Sequence, residues 1–172
     1  IANHAAGIAV AKKGTYQVRL NEIEKVLSGE ETKIKSFPEL ALILQDLKRK
    51  GKKIVWTNGC FDILHPGHTI YLEKAKEQGD YLIVGLNSDS SVRALKGSKR
   101  PILQETERAQ ILSSLECVDY IIIFPETSVE KYLKEFKPDI YVKGGDYKLE
   151  TLNQEERRII EDYNGKIFFI PL

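Results

Sequence analysis

The sequence has little cysteine, no excess of charge of either sign and no long apolar run, and each lack removes a class of protein. Cys60 and Cys117 are the only cysteines among 172 residues. They lie far apart without C-x-x-C spacing, which excludes a disulfide framework and reads as reduced thiols in a cytoplasmic protein. The 26 Lys and Arg against 25 Asp and Glu leave a net charge of +1. That balance excludes the polybasic footprint of nucleic-acid binding, which rests on clustered phosphate neutralisation, so any phosphate site must be local. No apolar stretch approaches the ~20 residues of a membrane span. Histidine is also scarce, three in all, yet two of them stand three residues apart in His65-Pro66-Gly67-His68.

At 172 residues the chain amounts to one domain plus an extension. Residues 1–36 combine a small-residue segment, IANHAAGIAVAKKGTYQV, with a charged stretch around Gly29, and read as a fragment plus linker. The first residue, Ile1, suggests a piece of a longer polypeptide. Pro38 then opens a helix carrying Leu40, Leu42, Ile43, Leu44 and Leu47, which Gly51 ends. Five apolar runs follow, at Ile54–Thr57, Tyr81–Leu86, Val118–Phe124, Asp139–Val142 and Lys166–Leu172. They lack clean alternation, as expected of strands buried on both faces of a parallel sheet. Helical segments separate them. Pro66 suits a first turn and Gly79 a C-terminal cap, Thr127 with Glu130 and Thr151 with Gln154 have capping-box spacing, and Gly165 closes the last helix. Thr106–Glu116 places Ala109, Ile111, Leu112 and Leu115 on an apolar face. The pattern βαβαβαβαβ predicts a doubly wound, Rossmann-like α/β domain with a five-stranded parallel sheet, binding ligands outside the carboxyl ends of the strands. There is no internal repeat and no low-complexity tract.

On that scaffold, TNGCFDILHPGH runs from the end of the first strand into the first helix after it, where unpaired N–H groups and the helix dipole favour an anion. The spacing of His65 and His68 puts both imidazoles on one side of a helical turn, and Gly67 leaves the backbone open to a ligand. Two donors over a helix N-terminus suit a phosphate chain whose charge shifts during reaction. A zinc site ranks below this, because only Asp62 is near enough to serve as a third ligand. Neither G-x-x-x-x-G-K-[ST] nor G-x-G-x-x-G follows the first strand, so a nucleotide would be held in another way. Trp56 and the tyrosines read as packing residues rather than base-stacking platforms.

HPGH after TNGCFD resembles the HxGH signature of the nucleotidyltransferase superfamily. The wider run WTNGCFDILHPGHTIYLEKAKEQGDYLIVGLNSDSSVRALKGSKRPI, with VKGGDY, resembles the adenylyltransferase domains of bifunctional heptose-phosphate kinase/adenylyltransferases over roughly residues 38–172. The segment IANHAAGIAVAKKGT is similar to the end of a ribokinase-like sugar kinase. The resemblance thus implies a kinase remnant and linker at 1–36 and a nucleotidyltransferase domain at 37–172. It implies His65, His68 and Lys96 in catalysis, and Asn58, Gly59, Cys60, Phe61, Gly67, Arg100, Lys143, Gly144, Gly145 and Asp146 at the nucleotide. Asp62, Asn87 and Asp89 would face the acceptor, although Asp89 alone equally suits a helix cap, and the Lys143–Tyr147 stretch a tight turn. Arg108 faces either the same phosphates or a surface salt bridge. The implied partners are ATP with Mg2+ and a sugar 1-phosphate, with no nucleic acid and no membrane, and the sequence leaves room for a homo-oligomer. The resemblance also implies transfer of AMP to D-glycero-β-D-manno-heptose 1-phosphate. The alternatives are a cytidylyltransferase of glycerol 3-phosphate or another small phosphate, and a non-catalytic nucleotide-binding or oligomerisation module. Members carry a second signature, G-x-S-T-T, at a helix start after the strand matching Lys166–Leu172, so the domain is expected to be truncated before it.

The loop KGSKRP gives a first test. Lys96 and Arg100 should face ligand phosphates and Lys99 water, so Lys99→Ala should leave ATP and acceptor binding nearly unchanged, whereas Lys96→Ala should weaken them in the same titration. Equal damage from the two changes would mean that the loop has been misread.

Overall fold

Parallel strands need long crossovers, and here every crossover is helical, so both faces of the sheet are covered. The computed structural model describes residues 32–145 and 147–171. Helix α1 spans Phe37–Arg49 and precedes β1, Ile54–Gly59. There follow α2, Pro66–Lys76, β2, Tyr81–Asn87, then α3, Asp89–Lys96, and α4, Glu105–Ser113. The chain continues through β3, Tyr120–Phe124, α5, Glu130–Phe136, β4, Ile140–Gly144, α6, Gln154–Asp162, and β5, Lys166–Ile170. The five strands are parallel in the order β3-β2-β1-β4-β5, so the strand order reverses between β1 and β4. This is the predicted doubly wound sheet. The kinase-remnant reading of 1–36 falls almost wholly outside the described residues, as does Asp146.

Strand alternation divides the core in two. Ile54 and Trp56 join Tyr141 under α1, α5 and α6, whereas Val55 and Val142 join Leu72, Ala109 and Leu112 under α2 and α4. Residues Leu40, Leu44 and Leu47 carry the α1 contact, while Leu42 points to solvent because it lies off that face. Ile111 is likewise exposed. At the amino edge of the sheet, N–H groups without a ladder partner are met by aspartates. Asp80 accepts from Lys53 N at 2.7 Å, Asp139 from Ile54 N at 2.7 Å and Asp119 from Leu82 N at 2.6 Å. Those bonds explain why Asp119 and Asp139, expected inside strands, stand just before them.

Other expectations need correction. Strands β1 and β4 each run two residues further, through Asn58-Gly59 and Lys143-Gly144, because polar and small residues at a carboxyl edge still pair. The β2–β3 crossover holds two helices rather than one, divided at Gly97, whose φ of 90° breaks the first. Neither capping box forms. Thr127 is exposed while Ser128 Oγ accepts from Glu130 N, and Asn153, not Thr151, caps α6 by accepting from Glu155 and Glu156 N. Gly79 and Gly165 do not supply left-handed caps. Asn164 does so after α6, with φ 60°, and the two glycines are instead places of close packing. A Cβ on Gly79 would come within 2.7 Å of Val55, and one on Gly165 within 2.6 Å of the Tyr163 ring.

An equally tight contact joins β1 to β2. The Trp56 ring lies across Gly85, where a Cβ would stand 2.6 Å from its Cζ2. Gly85→Ala should therefore cost about 1–3 kcal/mol by overpacking, read as a lower urea midpoint with unchanged m-value. No loss of stability would show that the Trp56 ring can move aside.

Candidate active site

Strand β1 leads into the HxGH turn through a strained residue. Phe61 has φ 44°, a left-handed conformation that costs a side-chain-bearing residue on the order of 1–3 kcal/mol and tends to persist where function needs it. Its ring is buried, stands 5.5 Å from that of His68, and closes over Gly59, where a Cβ would meet it at 3.2 Å. His65 is the N-cap of α2. Its Nδ1 accepts from Gly67 N at 3.2 Å, which leaves Nε2 as the protonated, donating nitrogen of the neutral ring. Gly67 allows this fold-back, since a Cβ there would lie 3.0 Å from His65 Cε1 and Nδ1. The His65 and His68 rings stand 4.0 Å apart at the start of the helix.

His68 is half-buried and its Nδ1 has no partner. Burial pushes its pKa below the ordinary 6.5, and the neighbouring His65 and Lys96 push in the same direction. The ring is therefore neutral at pH 7. An unpaired Nδ1 lone pair is cheaper to bury than an unpaired N–H, which favours the tautomer with the proton on Nε2. Both histidines are thus donors over a helix N-terminus, within the field of Lys96.

The loops around this turn are tied down by two ion pairs, each with one buried member, Asp62 with Arg100 and Arg108 with Asp89. Asp62 accepts from Arg100 Nη1 at 2.6 Å, Ile102 N at 2.7 Å and Leu103 N at 3.3 Å. Burial would raise its pKa, but these bonds outweigh burial and hold the carboxyl below its ordinary 3.8. The carboxylate therefore clasps the basic loop. Arg108 is neither a phosphate contact nor a surface salt bridge: it is 0% exposed. Its guanidinium donates to Leu103 O, Cys60 O, Asn87 O and the Asp89 carboxylate at 2.6–3.0 Å. Asp89 heads α3 behind its N-cap Ser88, and Asn87 is buried, donating to Ser91 Oγ at 2.8 Å. The Cys60 thiol is half-buried and burial raises its pKa, so it stays protonated. Lys96 and Lys99 are exposed.

A second cluster occupies the α5/α6 face of the same edge. Lys143 is buried, donates to Asn58 Oδ1 at 3.0 Å, and lies 5.0 Å and 5.4 Å from the ring centres of Tyr141 and Tyr147. Burial depresses its pKa below the ordinary 10.5, and the charge of Glu156 opposes that fall. Tyr141 Oη lies 3.0 Å from Asn58 Oδ1 and donates to Glu156 Oε2 at 2.7 Å. Gly144 and Gly145 turn the chain just beyond, with Tyr147 N donating to Gly144 O at 3.0 Å. On the opposite face, the Tyr71 hydroxyl bridges Thr57 Oγ1 and Val142 O, and burial pushes its pKa up to about 12. The sequence reading missed Glu156 and Tyr141. A signal for Glu156 existed, since it precedes Ile159 and Ile160 by three and four residues and so shares their buried face.

A cavity of about 560 Å³ lies at the other, amino edge of the sheet, lined by Lys48, Lys52, Lys53, Lys137, Asp139 and Lys166. It is the wrong edge for a doubly wound sheet. The residues just after α1, α5 and α6 line it, and Lys48 serves the C-terminus of α5 by donating to the carbonyls of Phe136 and Lys137. Among the described residues no three His, Cys, Asp or Glu side chains converge as a metal group, and no helix is long and apolar enough to cross a membrane.

The His68 environment is open to direct test by NMR titration of the ring. Its midpoint should lie below 6.5, and Lys96→Ala should raise it, because a nearby cation opposes protonation. A midpoint indifferent to Lys96 would separate the two residues.

Comparison with known proteins agrees with this geometry. The cytidylyltransferase-like family model matches residues 56–170, from β1 to the end of β5. The bifunctional protein HldE of Geobacter metallireducens is 48% identical over 171 residues, 97% of this chain and 34% of that protein. The HldE of Nitratiruptor sp. is 51% identical over 174 residues, 96% of this chain and 38% of that protein. The chain therefore spans about a third of the length of these curated relatives. Among solved structures, the lipopolysaccharide core biosynthesis protein of Thermoplasma volcanium GSS1 is 34% identical with a TM-score of 0.59, covering 71% of this chain and 97% of that one. Pantoate-beta-alanine ligase of Francisella tularensis shares the fold at 19% identity and a TM-score of 0.55, over 80% of this chain and 66% of that one. With its histidine pair at the switch-point edge and a match running through all five strands, the chain belongs to the cytidylyltransferase-like family.

Proposed function

We propose that the chain transfers AMP from ATP to a sugar 1-phosphate, D-glycero-β-D-manno-heptose 1-phosphate, giving ADP-heptose and pyrophosphate. The observation that carries this reading is the pair His65 and His68, 4.0 Å apart at the start of α2 on the carboxyl edge of β1. An acceptor phosphate oxygen attacks the α-phosphorus in line. The new P–O bond forms as the bond to the β-phosphate oxygen breaks, and pyrophosphate leaves with that electron pair. A phosphate monoester is already nucleophilic at neutral pH, so no strong general base is needed and catalysis is alignment and charge stabilisation. In this reading His65 and His68 donate to the α- and β-phosphates as charge builds, with Lys96 and Arg100 holding phosphates beside them.

Arg100 is suited to the task because Asp62 engages only one of its terminal nitrogens and its side chain is 45% exposed. Asp62 is itself saturated and serves the site by fixing the loop, rather than by meeting the acceptor directly. Mg2+ fits as an ion carried on the phosphates of ATP, where it would neutralise their charge, since among the described residues no cluster of carboxylates converges to hold it. The names of the relatives favour a sugar acceptor, one being a lipopolysaccharide core biosynthesis protein and others bifunctional proteins. On this reading residues 1–36 are the end of a preceding kinase domain, and the enzyme works in the cytoplasm, where ATP is supplied.

Pyrophosphate release tests the proposal, with ATP or CTP as donor and heptose 1-phosphate or glycerol 3-phosphate as acceptor. Release should require ATP with the heptose phosphate. His65→Ala and His68→Ala should each lower turnover by about 10²–10³-fold, the usual loss for a transition-state donor, while leaving ATP binding far less affected. Preference for CTP with glycerol 3-phosphate would instead support a cytidylyltransferase, and no release with any pair would leave a binding module.

A further inference from the structure

We infer that Glu156 is a positioning residue of the nucleotide site: through its charge it keeps the Lys143 ammonium, which donates to Asn58, ready for an anionic group of the ligand. The inference rests on the nucleotidyltransferase reading for the identity of that ligand. Its geometry does not. An ammonium has three donors, and among the described residues Lys143 meets one hydrogen-bond acceptor, Asn58 Oδ1, beside the faces of Tyr141 and Tyr147. A buried cation so thinly satisfied is costly unless an anion completes its shell. It stands at the carboxyl end of β4, next to β1, where the strand order reverses and where such sheets receive ligands.

Glu156 is equally unusual. A glutamate in the first turn of a helix ordinarily faces water and favours the helix dipole. This one is 6% exposed and turned onto the sheet, accepting from Tyr141 at 2.7 Å, with Val129 N at the start of α5 3.5 Å from its other oxygen. The N-termini of α5 and α6 thus both face the carboxylate and stabilise its charge. The groups around Lys143 are Asn58 from β1, Tyr141 of its own strand, Tyr147 from the following turn, Glu156 from α6, and Tyr71 from α2 bonded to Val142 O. Among the described residues Glu156 is the one anion of this group. Tyr141 stays protonated well above its ordinary range, first by burial and then by Glu156. The carboxylate is therefore what opposes the loss of the Lys143 proton in its buried setting.

The test is a side-chain 15N NMR titration of Lys143 in the unliganded chain, its signal assigned by loss in Lys143→Arg. Glu156→Gln should move the midpoint down from that of the wild type, whereas Tyr141→Phe, which keeps the carboxylate, should leave it much closer. Equal midpoints in wild type and Glu156→Gln overturn the inference, as does an equal displacement by Tyr141→Phe, which would trace the effect to packing. Calorimetry with ATP from neutral to alkaline pH reads the consequence. Glu156→Gln should lose affinity at a lower pH than the wild type, by about tenfold, the value of a charge-assisted bond, where only its own Lys143 is neutral. The double change Glu156→Gln with Lys143→Arg should abolish that loss, because arginine stays charged. ATP affinity that ignores a displaced midpoint overturns the ligand role. A wild type that binds no ATP, with the midpoint displaced, overturns the nucleotide reading and leaves the coupling of Glu156 to Lys143 supported.

Discussion

The carboxyl edge of the sheet is organised around the guanidinium of Arg108. A cation removed from water must find acceptors in every direction, and this one finds them on four segments: the turn after β1, the end of β2, the head of α3 and the loop before α4. Because the Cys60 and Asn87 carbonyls meet on one side chain, the turn that carries the histidines cannot shift without displacing the loop that carries Lys96 and Arg100. Asp62 adds the complementary tie, from the HxGH turn to that same loop. The basic loop is long and exposed, yet both of its ends are anchored to buried charges.

The site itself keeps polar groups short of full satisfaction, as the buried Trp56 and Tyr163 side chains also do elsewhere in the fold. At the amino edge, Asp80, Asp119 and Asp139 complete the backbone valences of the strands. At the carboxyl edge, among the described residues, His68 Nδ1 is unpaired, and Lys143 has a single acceptor. Unmet hydrogen-bonding capacity is expensive inside a protein, and at the switch point, where such sheets receive ligands, a polar ligand would restore the balance.

How much of this could be read from sequence depended on whether a residue's chemistry agreed with its place. The strands were legible because Ile, Val, Leu and Tyr runs belong in a sheet covered on both faces, and the histidine pair because two scarce residues shared one helical turn. Strand ends failed where Asn58-Gly59 and Lys143-Gly144 looked like loop. Helix α3 was hidden because Asp89–Lys96 buries only Ser91 and Val92. Arg108 and Glu156 were misjudged for one reason: charge is ordinarily a surface property, and only helical periodicity against buried neighbours shows otherwise. Two glycines misled in the opposite sense, since Gly79 and Gly165 answer to crowding by side chains rather than to backbone conformation.

The contact of Trp56 with Gly85 has a consequence beyond packing. The two residues are near neighbours across β1 and β2, where Trp56 pairs with Ile83 and Asn58 with Gly85. A slip of one residue in either direction would set the indole against the side chain of Val84 or Leu86, and would turn the inward residues outward. The indole and the glycine work as a lock and its ward: only one alignment of the two strands lets them close. That alignment decides how far Asn58 and the histidine turn project beyond the sheet relative to Asn87 and the helix that follows β2. The dimensions of the ligand cleft are thus determined deep in the core, and the loops around it can change in sequence and length without altering its span.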